Sequence, residues 1–167
     1  MKKVLFVCYS NICRSPAAEA MMRKEVLAAG LAEDIKVDSA ALDAHHAGEM
    51  VDVRMRNHLS DRGFKLDTRA RRFREDEDFE KFDYIVVMDH DNLETIHALD
   101  TGSDYIDKIH LLSEYCINHK EDVPDPLHGE DHDFDVVLDI LEDGIKGLFK
   151  IVKNNTGSNL NKKLRAS

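Results

Sequence analysis

Lys3-Val4-Leu5-Phe6-Val7-Cys8-Tyr9-Ser10-Asn11-Ile12-Cys13-Arg14-Ser15-Pro16 is the stretch whose reading decides the fold. The apolar run from Lys3 to Val7 is strand-length and reads as a buried strand. A helix follows over Pro16 to Ala29: Ser15 is placed to cap it, Pro16 suits a first helical position, and Gly30 ends it. Residues 8 to 15 therefore form a short loop between a strand and the start of a helix.

Working outward, short apolar runs alternate with longer helical patterns, which predicts an α/β domain on a parallel sheet. Ile35 to Ser39 reads as a second strand. Asp52 to Arg62 reads as a helix, with Met55 and Leu59 four apart and Gly63 after its end. Tyr84 to Met88 is a buried strand, Asn92 to Leu99 a helix, and Lys108 to Leu112 a fourth strand, followed by an irregular stretch holding Pro124 and Pro126. The last helix carries Phe134, Val137, Leu138, Leu141, Ile145, Leu148 and Val152 on one face at helical spacing. The expected domain is 1–153. The tail 154–167 is polar apart from Leu160 and Leu164 and is expected to fray.

The 167 residues, 43 % of them apolar, suit one globular domain that builds its core without a disulfide or structural metal. Cysteines at 8, 13 and 116 are an odd number with no secreted framework, so a reducing cytoplasm is the expected compartment. After Met1-Lys2-Lys3 the apolar run is too short for a signal peptide, and no stretch is long enough to span a membrane. A net charge of −10 argues against tracking a nucleic-acid backbone or an anionic membrane. It says less about small anionic ligands, because a local site can oppose the global field.

The loop is such a site. A short turn entering a helix N-terminus aims backbone N–H groups inward and makes a concavity for a tetrahedral oxyanion. Arg14, five residues beyond Cys8, can clamp two phosphoryl oxygens with its planar fork. The same partial positive charges favour the thiolate form of Cys8, a nucleophile, and Ser15 is placed to hydrogen-bond that sulfur.

This loop resembles that of the low-molecular-weight protein tyrosine phosphatases, which reads V-C-x-G-N-x-C-R-S-P directly after the first strand. The resemblance extends through Asp38-Ser39-Ala40, His46 with Gly48-Glu49, Phe82-Asp83-Tyr84-Ile85, Met88-Asp89 with Asn92-Leu93, and Val123-Pro124-Asp125-Pro126. It implies a single three-layer domain, a four-stranded parallel sheet of order 2-1-3-4 with helices on both faces. It implies that Cys8 attacks phosphorus, that residues 9–15 (Tyr9, Ser10, Asn11, Ile12, Cys13, Arg14, Ser15) hold the phosphate, and that Asp125 protonates the departing tyrosyl oxygen. Asn11, Ser15 and Ser39 would support the loop, and Cys13 would be a redox partner of Cys8. The implied partners are a phosphotyrosine protein or a small aryl phosphate. Inorganic phosphate, sulfate, vanadate and arsenate should compete, and no cofactor or metal is implied.

The chain departs from this pattern at Ser10, where glycine is usual; serine there adds strain if the backbone needs a positive φ. Leu127 and His128 follow Asp125-Pro126 where aromatics are common, and His45 stands where an aromatic often walls the entrance, so the ring of a phosphotyrosine loses stacking partners. Thr68 stands in place of a histidine. These departures keep a phosphotyrosine-binding module with negligible turnover as an alternative. Thiol-based arsenate reduction needs a later cysteine pair, and only Cys116 is available. Asp89-His90-Asp91 resembles the D-x-D of magnesium-dependent aspartyl-phosphate phosphatases but does not follow the first strand. His128, Asp131, His132 and Asp133 lack metal-ligand spacing. The basic run Arg69-Ala70-Arg71-Arg72-Phe73-Arg74 reads as a solvated face, and there is no G-x-x-x-x-G-K-[ST] loop for a nucleotide.

Overall fold

In β1 (Lys2–Cys8) successive side chains point to opposite faces, and both faces are apolar. Val4, Phe6 and Cys8 face one core and Leu5 and Val7 the other. A strand buried on both sides must sit inside a covered sheet. In this computed structural model, which describes the backbone of residues 1–164 and side chains through Thr156, β1 pairs in parallel with β2 (Ile35–Ala41) and with β3 (Tyr84–Val87), and β3 with β4 (Ile109–Leu111). The order is β2-β1-β3-β4. The fold is thus the expected α/β single domain with a four-stranded parallel sheet.

Helices α1 (Arg14–Ala28), α2 (Val53–Asp61) and α5 (Asp131–Leu164) cover the Val4 and Phe6 face through Ala18, Met22, Met55, Leu59, Phe134 and Leu141. On the other face lie α3 (Glu75–Lys81) and α4 (His90–Leu99), which contribute Phe79 and Ile96. All seven apolar positions expected along the last helix are buried.

The structure refines the element bounds in several places. The first helix begins at Arg14, and Ser15 does not cap it, because its hydroxyl is engaged elsewhere. Pro16 is tolerated in the first turn, where helical N–H groups have no intrahelical acceptor. The second strand runs two residues past Ser39, as far as the partner of Cys8. The acidic run Glu75 to Asp78 is the first turn of α3, where negative charge suits the helix dipole. The boundary at 153 does not break α5: Thr156 is buried within it, and Asn155 Nδ2 donates to Tyr84 Oη at 2.6 Å. Fraying beyond that concerns side chains from 157 and residues 165–167, outside the described residues.

The helix α5 crosses the turn Leu112–Tyr115 at Gly147, where a Cβ would lie 2.0 Å from the Tyr115 carbonyl oxygen. Backbone cannot swing aside as a side chain can, so Gly147→Ala is expected to cost about 1–3 kcal/mol by overpacking. Thermal unfolding checks this: Tm should fall by several degrees, and an unchanged Tm would mean that α5 packs less closely there.

Candidate active site

Because β1 is central in the sheet, its carboxyl end opens into the crevice where ligands of doubly wound sheets bind. Cys8 stands at that end, and residues 9–13 carry the chain into α1. Asn11 has φ +56°, the left-handed region that Asn tolerates best after Gly. Ser10 does not have a positive φ, so the serine there brings no backbone strain.

Two side chains and one backbone N–H hold the Asn11 side chain in place. Its Nδ2 donates to Ser15 Oγ at 2.8 Å and to Ser39 Oγ at 2.9 Å, and its Oδ1 accepts from the Arg71 N–H at 3.0 Å. Ser39 in turn donates to Glu19 Oε2 at 2.5 Å. Because Ser15 Oγ accepts from Asn11, its one proton points either to Cys8 Sγ at 3.0 Å or to the Ala40 carbonyl at 3.5 Å, and the Asn11 N–H donates to the same sulfur at 3.3 Å. Both contacts are ones a thiolate accepts.

Glu19 is fully buried, and burial raises its pKa, opposed by the bond from Ser39 and by Arg23 at 2.6 Å. Thr68 donates to its other oxygen at 3.1 Å, so the threonine remains in the network that supports the loop. The expected solvated face at Arg69–Arg74 is only partly so. Arg71 bridges Asp38 and the fully buried Asp78, at 2.9 and 2.8 Å, which fixes the strand of backbone that grips Asn11.

Arg14 is 3 % exposed and donates to Asp89 and to the Val123 carbonyl at 2.9 Å, with Asp125 Oδ2 at 3.4 Å. Burial works against its charge, but the Cys8 sulfur, Asp89 and Asp125 outweigh it and hold its pKa above the ordinary value. Asp89 also caps α4 through the Asn92 N–H at 2.7 Å, which is a structural duty and not that of a second nucleophile. Cys13 is a buried thiol with its pKa pushed upward by burial and then by Asp52, so it is a weak nucleophile beside Cys8.

A cleft of about 560 Å³ lies over this loop, lined by Tyr9, Ser10, Ile12, Met50, Asp125, Leu127 and His128 among others. His46 lines it and His45 does not. Asp43 takes both the backbone N–H and the Nδ1 of His45, which leaves that ring 84 % exposed, so the expected wall at His45 is corrected to His46. A larger hollow of about 700 Å³ around Lys146 and Phe149 has no cysteine or serine in its lining; size alone does not locate the chemistry. Among the described residues, no group of three or more His, Cys, Asp or Glu side chains is arranged to hold a metal, and no helix is long and apolar enough to cross a membrane.

Sequence reasoning missed Glu19, Arg71 and Arg54. Only Glu19 left a signal, as a lone acid within the otherwise small and apolar run Ala17 to Met22.

Comparison with known proteins agrees with this geometry. The chain is 35 % identical over 170 residues to the low molecular weight phosphotyrosine protein phosphatase of Dictyostelium discoideum, covering 92 % of this chain and 94 % of that one. Its fold is similar to a crystal structure of a protein tyrosine phosphatase from Entamoeba histolytica, with TM-score 0.87 and 40 % identity, over 95 % of this chain and 99 % of that one. It is also similar to a Drosophila arginine phosphatase, with TM-score 0.81 and 33 % identity, over 92 % and 98 %. The family model for low molecular weight phosphotyrosine protein phosphatase matches residues 3–159, the span that carries the loop, its supporting network and the Asp125 turn, and the chain belongs to that family.

Proposed function

We propose that this phosphatase hydrolyses phosphotyrosine and related aryl phosphate monoesters through a cysteinyl-phosphate. The observation that carries the reading is the meeting of one loop with a distant acid: Cys8 with its two donors, the buried Arg14 that its sulfur acts on, and Asp125, which lines the cleft over the loop and lies within 3.4 Å of Arg14.

The phosphoryl group sits between Cys8 and Arg14, with the N–H groups that helix geometry leaves free at the start of α1 facing its oxygens. Cys8 attacks phosphorus, the S–P bond forms as the P–O bond breaks, and Asp125 gives its proton to the departing phenol oxygen. Asp125, now a carboxylate, takes a proton from water as that water attacks phosphorus. The S–P bond breaks, the thiolate returns, and Ser15 steadies it as the leaving group. The substrate ring meets Ile12, Met50 and Leu127, an apolar wall that gives burial, with the Tyr9 ring also in the lining.

Steady-state release of phosphate from peptides that differ only in the phosphorylated residue tests this, in chelator and with vanadate as competitor. Vanadate-sensitive turnover is expected on the phosphotyrosyl peptide, at least about tenfold above phosphoseryl and phosphoarginyl peptides, the size of one side-chain fit in an apolar pocket. Preference for phosphoarginine would overturn the substrate class and leave the chemistry of Cys8. Tight binding with no turnover would reduce the protein to a phosphotyrosine-binding module.

A further inference from the structure

The acid loop needs an anchor of its own. Asp125 belongs to neither the sheet nor a helix, and 41 % of its side chain is exposed. Before it, the chain is tied to the residue that follows the carboxyl end of β3 by the Val123 N–H, which donates to the Met88 carbonyl at 2.9 Å. After it, the Leu127 N–H donates to Asp125 Oδ1 at 3.1 Å, so the Leu127 peptide sets the direction of the carboxylate.

The same residue is gripped from α2 through its carbonyl, one peptide unit further on. The Arg54 guanidinium donates through Nη2 to the Leu127 carbonyl at 2.6 Å and through Nη1 to the Gly129 carbonyl at 3.0 Å. Its Cζ lies 4.5 Å over the Phe134 ring, and its Nε is 3.7 Å from Asp52 Oδ1. The two arms of the planar fork reach two carbonyls two residues apart, and the ring beneath limits its swing. The other end of the same short segment holds the phosphate loop: the Asp52 N–H donates to the Ile12 carbonyl at 2.9 Å, while the Asp52 carboxylate caps α2 through the Arg54 and Met55 N–H groups.

We propose that Asp52-Val53-Arg54 is a strut that sets the spacing between nucleophile and acid, and that Arg54 is the positioning residue for Asp125. The proposal rests on the reading of Asp125 as general acid. It predicts a loss specific to proton delivery, since a displacement of about 1 Å in a positioned group can cost 10²-fold. Arg54 lines the cleft, but its fork is committed to the Leu127 and Gly129 carbonyls, so binding of the phosphoryl group should change little.

The experiment compares Arg54→Ala, Arg54→Lys and Asp125→Asn on phenyl phosphate, whose phenolate leaves poorly, and p-nitrophenyl phosphate, whose leaving group needs little protonation. Arg54→Ala is expected to lower kcat on phenyl phosphate about 10- to 100-fold and on p-nitrophenyl phosphate less than about threefold, below the full worth of a general acid. Arg54→Lys keeps a cation over Phe134 without the fork and should fall between Arg54→Ala and the natural enzyme. In the Asp125→Asn background, Arg54→Ala should cost nothing further on phenyl phosphate, because there is no acid left to misplace.

Equal losses on both substrates, or an undiminished loss in the Asp125→Asn background, would overturn the strut. Should Arg54→Ala not fold, Arg54→Lys decides alone: activity equal to the natural enzyme on phenyl phosphate overturns it. If Asp125→Asn itself spares phenyl phosphate, the acid assignment fails and the strut falls with it. If Asp125→Asn is selective and Arg54→Ala is not, only the strut is lost.

Discussion

Cys8→Ser is expected to reduce turnover of p-nitrophenyl phosphate by at least about 10⁴-fold, the scale on which loss of a catalytic nucleophile is felt. A serine hydroxyl attacks phosphorus only if a base removes its proton. The groups touching Cys8 Sγ are the Ser15 hydroxyl at 3.0 Å and the Asn11 N–H at 3.3 Å, both serving as donors, and neither can take that proton. Under the proposed mechanism the sulfur needs no such base, because both contacts are ones that a thiolate accepts. The rest of the cradle does not depend on the sulfur: Asn11 remains tied to Ser15, Ser39 and Arg71, and Arg14 to Asp89 and Val123. The variant should therefore still bind inorganic phosphate, measured by titration calorimetry, with affinity similar to or better than the natural enzyme. Turnover by Cys8→Ser within about tenfold of the natural protein would remove Cys8 as nucleophile, since general acid catalysis and binding alone cannot supply that much.

Asp125→Asn should separate substrates by leaving group. On phenyl phosphate the loss should reach about 10²- to 10⁴-fold, the usual contribution of a positioned general acid, and on p-nitrophenyl phosphate it should be much smaller. The asymmetry follows from chemistry: a phenol with pKa near 10 departs poorly without a proton, whereas a nitrophenolate departs readily. Asparagine keeps the shape and can still accept the Leu127 N–H, so the loop should hold its place. A side effect through Arg14 is limited, because the contact to Asp125 is the longest of its three, at 3.4 Å. Steady-state kcat on a series of substituted phenyl phosphates measures the slope directly. A slope unchanged from the natural enzyme would show that Asp125 delivers no proton.

The two predictions depend on residues of very different legibility. Cys8, Arg14 and Ser15 stand in one short stretch, and the strand before and helix after them place them at a crevice before any coordinate is known. Ser10 and His45 show the limit of that kind of reading. Whether Ser10 needed a left-handed backbone was a question of loop conformation, and the strain sits at Asn11 instead. Whether His45 or its neighbour faces the cleft turned on Asp43, two residues away, which claims the His45 ring. Ser15 reads locally as a helix cap because serine commonly caps. It is drawn off that duty by Cys8 and Asn11, partners that only the folded loop brings near.

Sequence alone settles the parallel-sheet alternation, the burial of β1 on both faces and the short turn that joins β1 to α1, because these follow from periods of two and 3.6 residues and from residues confined to one loop. Tertiary structure alone decides what Arg14 and Arg54 touch. Arg14 meets Asp89 and Asp125, 75 and 111 residues away, and Arg54 meets Leu127 and Gly129, 73 and 75 residues away. An arginine on a helix start looks the same in sequence whether it faces water or a distant carbonyl. The packing of α2 and α5 against one side of the sheet brings Arg54 to those carbonyls, and that packing is a property of the assembled core.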